Sequence, residues 1–278
     1  MGASRDYAWE LPFAQVKFEV SSASDKGLVR RVNEDSFVAI PPLFLVADGM
    51  GGHAFGERAS QETARVLSSL LPSHEPATAA AILEAVAEAN RAVRLISEDD
   101  FAGTTLAGVA LVQTESAHEC HWMAFNIGDS RIYSWDGEHL QQVSVDHSAV
   151  QEMVDEGVIT AAEAAVHPDR NVITRAIGID GELEPDVWLL PAGGTQTFVI
   201  CSDGLTKELD DGAIEIVLAA TSLDTSPADR LVAAALASGG ADNVTVVVVE
   251  STLTLVTAGG ATPTDKLPAH LEETLPRP

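Results

Sequence analysis

The chain has 278 residues, enough for one substantial hydrophobic core or two small ones, and 46% of them are apolar, the share of an ordinary globular protein. Its 42 acidic residues face only 16 Lys and Arg, a formal charge of -26 at pH 7, so nucleic acid and anionic membrane are excluded as expected partners. An anionic substrate is still acceptable where bound cations invert the local field, although most of these carboxylates are expected to be solvated surface.

Cys120 and Cys201 are the only cysteines, too few for a disulfide framework. A single bridge between them is left open by sequence, and a reducing cytosol is the simpler reading. Residues 1–12 carry Arg5, Asp6 and Glu10 and no apolar signal-peptide segment, and no run of eighteen apolar residues occurs anywhere. The expectation is a cytoplasmic chain that neither spans a membrane nor leaves the cell by a standard signal.

In chain order, the first strong element is Leu43-Phe44-Leu45-Val46-Ala47, too apolar for a half-exposed strand and therefore expected to be buried on both faces. It runs into Asp48-Gly49-Met50-Gly51-Gly52-His53, a carboxylate at a strand end followed by a glycine-rich turn that lets backbone approach a ligand. Ile82, Val86, Ala89, Val93 and Ile96 then make one apolar helical stripe, expected to pack on a sheet. His118 and His121 are the one close histidine pair, without partner ligands nearby, and are assigned to surface or strand edge. Ser148 with Gln151 three residues on fits a capping box, predicting a helix whose short apolar face is Val150, Met153 and Val154.

The strand-then-aspartate grammar recurs at Phe198-Val199-Ile200-Cys201-Ser202-Asp203-Gly204. A further helix is expected from Pro227 through Leu231, Val232 and Leu236 to Gly239-Gly240. Gly240-Ala241-Asp242-Asn243 then precedes the strand Val244 to Val249. Strands at both ends with helical segments between them, and no regular βαβ alternation, indicate α+β with antiparallel sheets. Ala258 to Pro278 reads as a flexible tail, with Leu267, Leu271 and Leu275 as an alternative docking helix.

One Asp-Gly after a strand is usually a turn; three aspartates at strand ends are a candidate site. All-oxygen ligands suit Mg²⁺ or Mn²⁺ better than Zn²⁺. Two such cations lower the pKa of a water between them and offset charge during in-line phosphoryl displacement, so phosphate-ester hydrolysis follows.

The ordered series Arg30-Arg31-Val32-Asn33-Glu34-Asp35, Asp48-Gly49-Met50-Gly51-Gly52, Gly103-Thr104-Thr105, Asn126-Ile127-Gly128-Asp129-Ser130-Arg131, Asp146-His147-Ser148, Asn171 through Gly178, Ser202-Asp203-Gly204-Leu205 and Asp242-Asn243-Val244-Thr245 resembles the metal-dependent type 2C serine/threonine protein phosphatases, over about residues 17 to 250. The Met50-Gly51-Gly52-His53 and Asn171–Gly178 stretches resemble the bacterial branch. The resemblance implies a four-layer αββα fold: a sandwich of two antiparallel sheets flanked by helices, with a binuclear metal site at one end. The expected catalytic domain is residues 1–251, with a flap at about 149–180 anchored by Ser148 and a tail at 252–278.

By the same resemblance, Asp48 bridges two cations, Mn²⁺ or Mg²⁺, and a metal-bridged water is the nucleophile. The Gly49 carbonyl ligates one ion, Asp203 and Asp242 the other. Glu34 and Asp35 hold metal waters, and Asp129 with Asp203 completes a weaker third site. Arg30 matches the arginine that grips substrate phosphate, with Arg31 as the alternative. Met50 stands where some members place a histidine acid, so the general acid stays open between His53 and a metal-bound water. Implied partners are phosphorylated proteins, with activity opposing bacterial Ser/Thr kinases, and a monomer is expected.

Rival chemistries fail on the same residues. A cysteine-dependent phosphatase needs an arginine six positions after its thiolate, where Cys201 has Lys207 and Cys120 has Asn126. An aspartyl-phosphate enzyme wants a second acid where Met50 follows Asp48, and no Gly-Lys-Ser/Thr follows the glycines. A metal-free binding module of the same fold would lack ligands that are present here. A small-molecule phosphatase would differ in the rim and flap alone.

Overall fold

The computed structural model describes residues 3–51, 55–72, 74–96, 102–114, 119–179, 183–222 and 224–256. β1 (Ala3–Glu10) and β2 (Ala14–Asp25) open the chain as an antiparallel hairpin that the sequence patterns above do not single out. In β2, Ala14, Val16, Phe18 and Val20 are buried and Gln15, Lys17 and Glu19 exposed, the period of a strand with one wet face.

The chain continues through β3 (Asp35–Ile40), β4 (Leu43–Gly51), α1 (Phe55–Leu70), α2 (Ala79–Ile96), β5 (Ala102–Thr104), β6 (Leu106–Gln113), β7 (Cys120–Ile127), β8 (Arg131–Trp135) and β9 (Leu140–Gln142). Then come α3 (Ala149–Asp155), α4 (Ala161–Ala164), β10 (Asp186–Pro191), β11 (Gly194–Cys201), α5 (Asp203–Thr206), α6 (Asp211–Ala219), α7 (Pro227–Ser238) and β12 (Val244–Leu255). One sheet has the order β1-β2-β12-β11-β8-β9 and the other β10-β7-β6-β4-β3, with β5 paired to β4; every pairing is antiparallel.

Three cores stack as the four layers require. Between the sheets, Val16, Phe18, Ile200, Val247 and Val249 meet Phe44, Val46, Val109, Leu111 and Trp122. Trp122 lies 5.2 Å from Phe198 and 6.3 Å from Phe18, ring centre to ring centre, the first pair tilted and the second edge-on. Outside one sheet, Leu43, Leu45 and Ala47 pack with Ala59 and Leu67 of α1 and Ile82, Val86, Ala89 and Val93 of α2. Outside the other, Val244, Val246 and Val248 pack with Leu205, Ile214, Leu231, Val232 and Ala235. Successive residues of β4 and β12 thus enter different cores, which is why their sequences are continuously apolar; each such burial contributes about 1.5–3 kcal/mol.

The α+β sandwich expected from sequence is the observed fold, and α2 and α7 form where the apolar stripes place them. The Ser148 hydroxyl caps α3 by accepting from the Gln151 amide at 3.2 Å, but the Gln151 side chain turns to Asp155, so the reciprocal half of the capping box is absent. α4, which the sequence patterns do not single out, carries the full box between Thr160 and Glu163. β12 runs past the expected boundary at 251 to Leu255, paired with β2 throughout. Leu267, Leu271 and Leu275 lie outside the described residues.

Candidate metal centre

Both sheets deliver acids to one end of the sandwich. Asp35 opens β3 directly opposite Asp48 in β4. Asp129 sits in the turn between β7 and β8, Asp203 begins α5 just after β11, and Asp242 lies two residues before β12. In the β1-β2-β12-β11-β8-β9 sheet the start of β8, the end of β11 and the start of β12 are neighbours, since Arg131 pairs with Cys201 and Cys201 with Val246.

Neutral side chains fix this arrangement. The Thr105 hydroxyl accepts from the Asp48 amide at 2.9 Å and lies 2.7 Å from the Ser130 hydroxyl, tying the Asp48 strand to the Asp129 turn. The Ser202 hydroxyl donates to Asp35 Oδ2 at 2.8 Å and accepts from the Thr245 amide at 3.0 Å. Asn243 Nδ2 donates to the Lys26 and Val32 carbonyls, both at 2.9 Å, and its Oδ1 accepts from the Glu34 amide at 2.8 Å, stapling the loop that carries Arg30 to the turn that carries Asp242.

Two glycines are dictated by contact. A Cβ on Gly49 would lie 2.2 Å from the Gly56 carbonyl oxygen, and one on Gly204 would lie 1.9 Å from that of Asn243.

The electrostatics are those of carboxylates forced together. Burial pushes Asp48 well above the usual carboxylate range, and the charges of Asp35, Asp203, Asp129 and Asp242 push it further. Burial is also the main cause that raises Asp35 and Asp129 to about 7, with Asp203 adding to both. Glu34 is raised by burial against the partial relief of Arg30. Asp242 is the exception. Burial raises it, but the hydrogen bond and charge of Lys207 and the hydrogen bond of Arg30 outweigh that and hold it low.

Asp35 Oδ1 and Asp203 Oδ1 are buried without a hydrogen-bond partner. Among the described residues no three acidic, His or Cys side chains converge on a single cation-sized point. Instead Lys207 bonds Asp203 Oδ2 and reaches Asp242 Oδ2 at 3.0 Å, while Arg30 Nε lies 2.7 Å from Asp242 Oδ1. Orphaned carboxylate oxygens, an all-oxygen donor set and mutual repulsion only partly relieved by Lys207 and Arg30 fit hard divalent cations. We therefore take these residues as compatible with a two-cation centre.

Of the residues singled out from sequence, Arg30, Glu34, Asp35, Asp48, Gly49, Asp129, Asp203 and Asp242 gather at this end. Both Arg30 and Arg31 are exposed, and it is Arg30 whose guanidinium pairs with Asp242. His53 and His118 lie outside the described residues. Cys120 and Cys201 are both free and buried, their thiols pushed up to about 11 and about 12 by burial, so neither is a reactive thiolate. Lys207, Ser202, Thr105 and Asn243 are the functional contacts that the sequence reading gives no role. Only Lys207 carries a signal of its own, a cation one helical turn after Asp203.

Beside the centre, His147 Nδ1 accepts from the Gly128 amide at 3.1 Å, so its Nε2 bears the proton and faces Asp186 Oδ2 at 3.1 Å. Arg175 Nη1 reaches the same Asp186 at 2.8 Å. The Thr174 amide donates to the His147 carbonyl, which joins the end of the 149–180 segment to the Asp129 turn.

A family model for protein phosphatase 2C matches residues 31–238. The chain belongs to the protein phosphatase 2C family. It is 34% identical over 247 residues to the serine/threonine phosphatase stp of Listeria monocytogenes serotype 4b (strain F2365), covering 83% of this chain and 95% of that one. It is 38% identical over 235 residues to the serine/threonine protein phosphatase PstP of Mycobacterium tuberculosis (strain ATCC 25618 / H37Rv), of which it spans 44%. Among solved structures, the catalytic domain of PstP in complex with two manganese ions superposes with a TM-score of 0.74 at 37% identity, covering 85% of this chain and 99% of that one. The range of the family model holds Glu34, Asp35, Asp48, Asp129 and Asp203 and ends four residues before Asp242.

Proposed function

We propose that this 2C-type phosphatase hydrolyses phosphoserine and phosphothreonine in proteins, using two divalent cations, Mn²⁺ or Mg²⁺, held by Asp48, the Gly49 carbonyl, Asp203 and Asp242. The single observation that carries the reading is the set of five mutually raising or paired aspartates at one end of the sandwich, with Asp35 Oδ1 and Asp203 Oδ1 left without partners. When bound, the cations supply a water of lowered pKa and neutralise charge on the transferred phosphoryl group.

The chain's own residues do the rest. Asp48, half-buried near the end of β4 with its amide tied to Thr105, would serve both cations. Asp35, gripped by Ser202, and Glu34, gripped through its backbone by Asn243, orient solvent around them. Asp129 with Asp203 forms a weaker third position. Arg30 offers a half-exposed guanidinium at the rim to a phosphate, a bidentate task that also draws it off Asp242. His53 is a candidate proton donor to the leaving alkoxide. The substrates are phosphoproteins, including targets of a bacterial Ser/Thr kinase, and the chain acts as a cytoplasmic monomer. Among the described residues no helix is long and apolar enough to cross a membrane.

The test is release of phosphate from phosphothreonine peptides with Mn²⁺ or Mg²⁺ and with excess EDTA, beside Asp203→Asn. Activity that persists in EDTA, or that Asp203→Asn leaves intact, would overturn the mechanism. Preference for sugar or nucleotide phosphates would move the substrate class to small molecules.

A further inference from the structure

Lys207 follows α5 by one position and stands four residues after Asp203, the spacing that brings two side chains to one face of a helical turn. Its ammonium bonds Asp203 Oδ2 and lies 3.0 Å from Asp242 Oδ2, with a third of the side chain exposed. The remaining lone pairs of Asp242 are also taken: Oδ1 accepts from Arg30 Nε at 2.7 Å and from the Asn243 amide at 2.9 Å, and Oδ2 from Arg30 Nη2 at 2.9 Å. Arg30 sits at the exposed rim, its side chain half in water, and is free to turn to a phosphate. Lys207 is held from inside the fold, on a short tether between the two carboxylates proposed to share a cation.

A divalent cation bound by both Asp203 and Asp242 needs the lone pairs that Lys207 holds and must also come close to a fixed positive charge. Either the ammonium swings out toward solvent or the two cations share the carboxylates under repulsion, and both weaken binding. In the absence of the cation the same ammonium neutralises two partly buried carboxylates that would otherwise repel each other.

Resting on the two-cation reading above, we propose that Lys207 is a tethered counter-ion that competes with the divalent cation for Asp203 and Asp242. It makes that cation exchangeable and protects the fold when the cation leaves. The centre then responds to free cation concentration over a range set by this one side chain, rather than staying permanently loaded.

The experiment is calorimetric titration of the full chain with Mn²⁺, beside Lys207→Met and Lys207→Arg, together with thermal unfolding in EDTA. Lys207→Met should tighten the weaker of the two Mn²⁺ sites about tenfold or more. It should also lower the melting temperature in EDTA and enlarge the rise that Mn²⁺ produces. Lys207→Arg, which keeps the charge, should stay near the parent in both. If Lys207→Met does not fold without metal, Lys207→Gln is purified with Mn²⁺ and stripped against a chelator of known affinity, where tighter retention than the parent is expected. Unchanged or weaker Mn²⁺ binding in the neutral variants, with the parent still binding two Mn²⁺, sinks the role of Lys207 alone. No Mn²⁺ uptake by the parent sinks the two-cation reading and this inference with it.

Discussion

Ser202 and Asp35 are joined inside the protein by a 2.8 Å hydrogen bond, hydroxyl to carboxylate, that links the two sheets at the end where the acids gather. Both residues are buried, and the other carboxylate oxygen of Asp35 has no partner, so this bond is a main stabilising contact of the ionised form. Ser202→Ala removes the donor to Asp35 and the acceptor for the Thr245 amide together. Denaturation of the metal-free chain should show a loss of about 1–3 kcal/mol. The Asp35 pKa, followed by carboxyl NMR, should rise further above about 7, because the lost bond is one that lowers it.

Asn243 makes a sharper case, since one side chain satisfies two carbonyls and one amide of the 26–34 loop. Asn243→Ala leaves all three groups to water or to nothing, and we expect at least about 2 kcal/mol of destabilisation. The KM for a phosphopeptide should rise as well, because the loop carries Arg30. Asn243→Asp keeps the acceptor for Glu34 and loses both donors, so it should fall between the parent and the alanine variant in denaturant midpoint.

Arg30→Ala separates two roles for a charge. Its pair with Asp242 is half exposed on the arginine side, so stability should change by less than about 1 kcal/mol. The KM for phosphopeptide should rise about tenfold or more, the effect of losing a charged, forked phosphate donor. Mn²⁺ affinity, measured by calorimetry, should not weaken, since the substitution only releases lone pairs of Asp242. Equal damage to substrate and metal binding would count against the assignment.

The raised acids fix the sign of the pH response. Asp35 and Asp129 titrate at about 7 in the fold, against about 3.9 for an unperturbed aspartate, so between those values the folded state binds more protons than the unfolded one. Their contribution to stability is present in full below the unfolded value and is lost as pH rises through about 7. In EDTA the chain should therefore melt higher at pH 5.5 than at pH 8, by roughly several degrees. Saturating Mn²⁺ should narrow or reverse that difference, because cations favour the ionised carboxylates. Differential scanning calorimetry across the four conditions reads this directly.

The parts of the molecule legible in the sequence are those where one residue type has one physical meaning. The continuous apolar runs of β4 and β12 announce strands buried on both faces, and Pro227 and Gly239 bracket α7 as first turn and stop, while the Ser226 cap emerges only in the structure. Asp48 and Asp203 are legible because they follow such strands and Asp242 because it precedes one, whereas Glu34, Asp35 and Asp129 enter only through the family resemblance. The β1–β2 hairpin was not, because Arg5, Asp6 and Glu10 mask the buried Trp9, and its pairing depends on a partner strand rather than on local pattern. Ser202, Thr105 and Asn243 were silent for another reason: hydroxyls and amides mark caps and turns everywhere, and their partners here lie up to 217 positions away. In the sequence Lys207 stands out only as the non-arginine six positions after Cys201. Its bridge between Asp203 and Asp242 depends on where β12 begins.

β12 lies between β2 and β11, and its first residues are preceded by Asp242 and Asn243. During synthesis, β2 and β11 must therefore wait, unpaired along facing edges, until almost the whole of residues 3–256 has left the ribosome. The nascent chain cannot bring Arg30, Asp48 and Asp203 to Asp242 before that strand slots in, so a stalled or clipped translation product has neither a closed sheet nor a complete set of acids. A product that ends before Asp242 therefore lacks both the strand that joins β2 to β11 and one acid of the site.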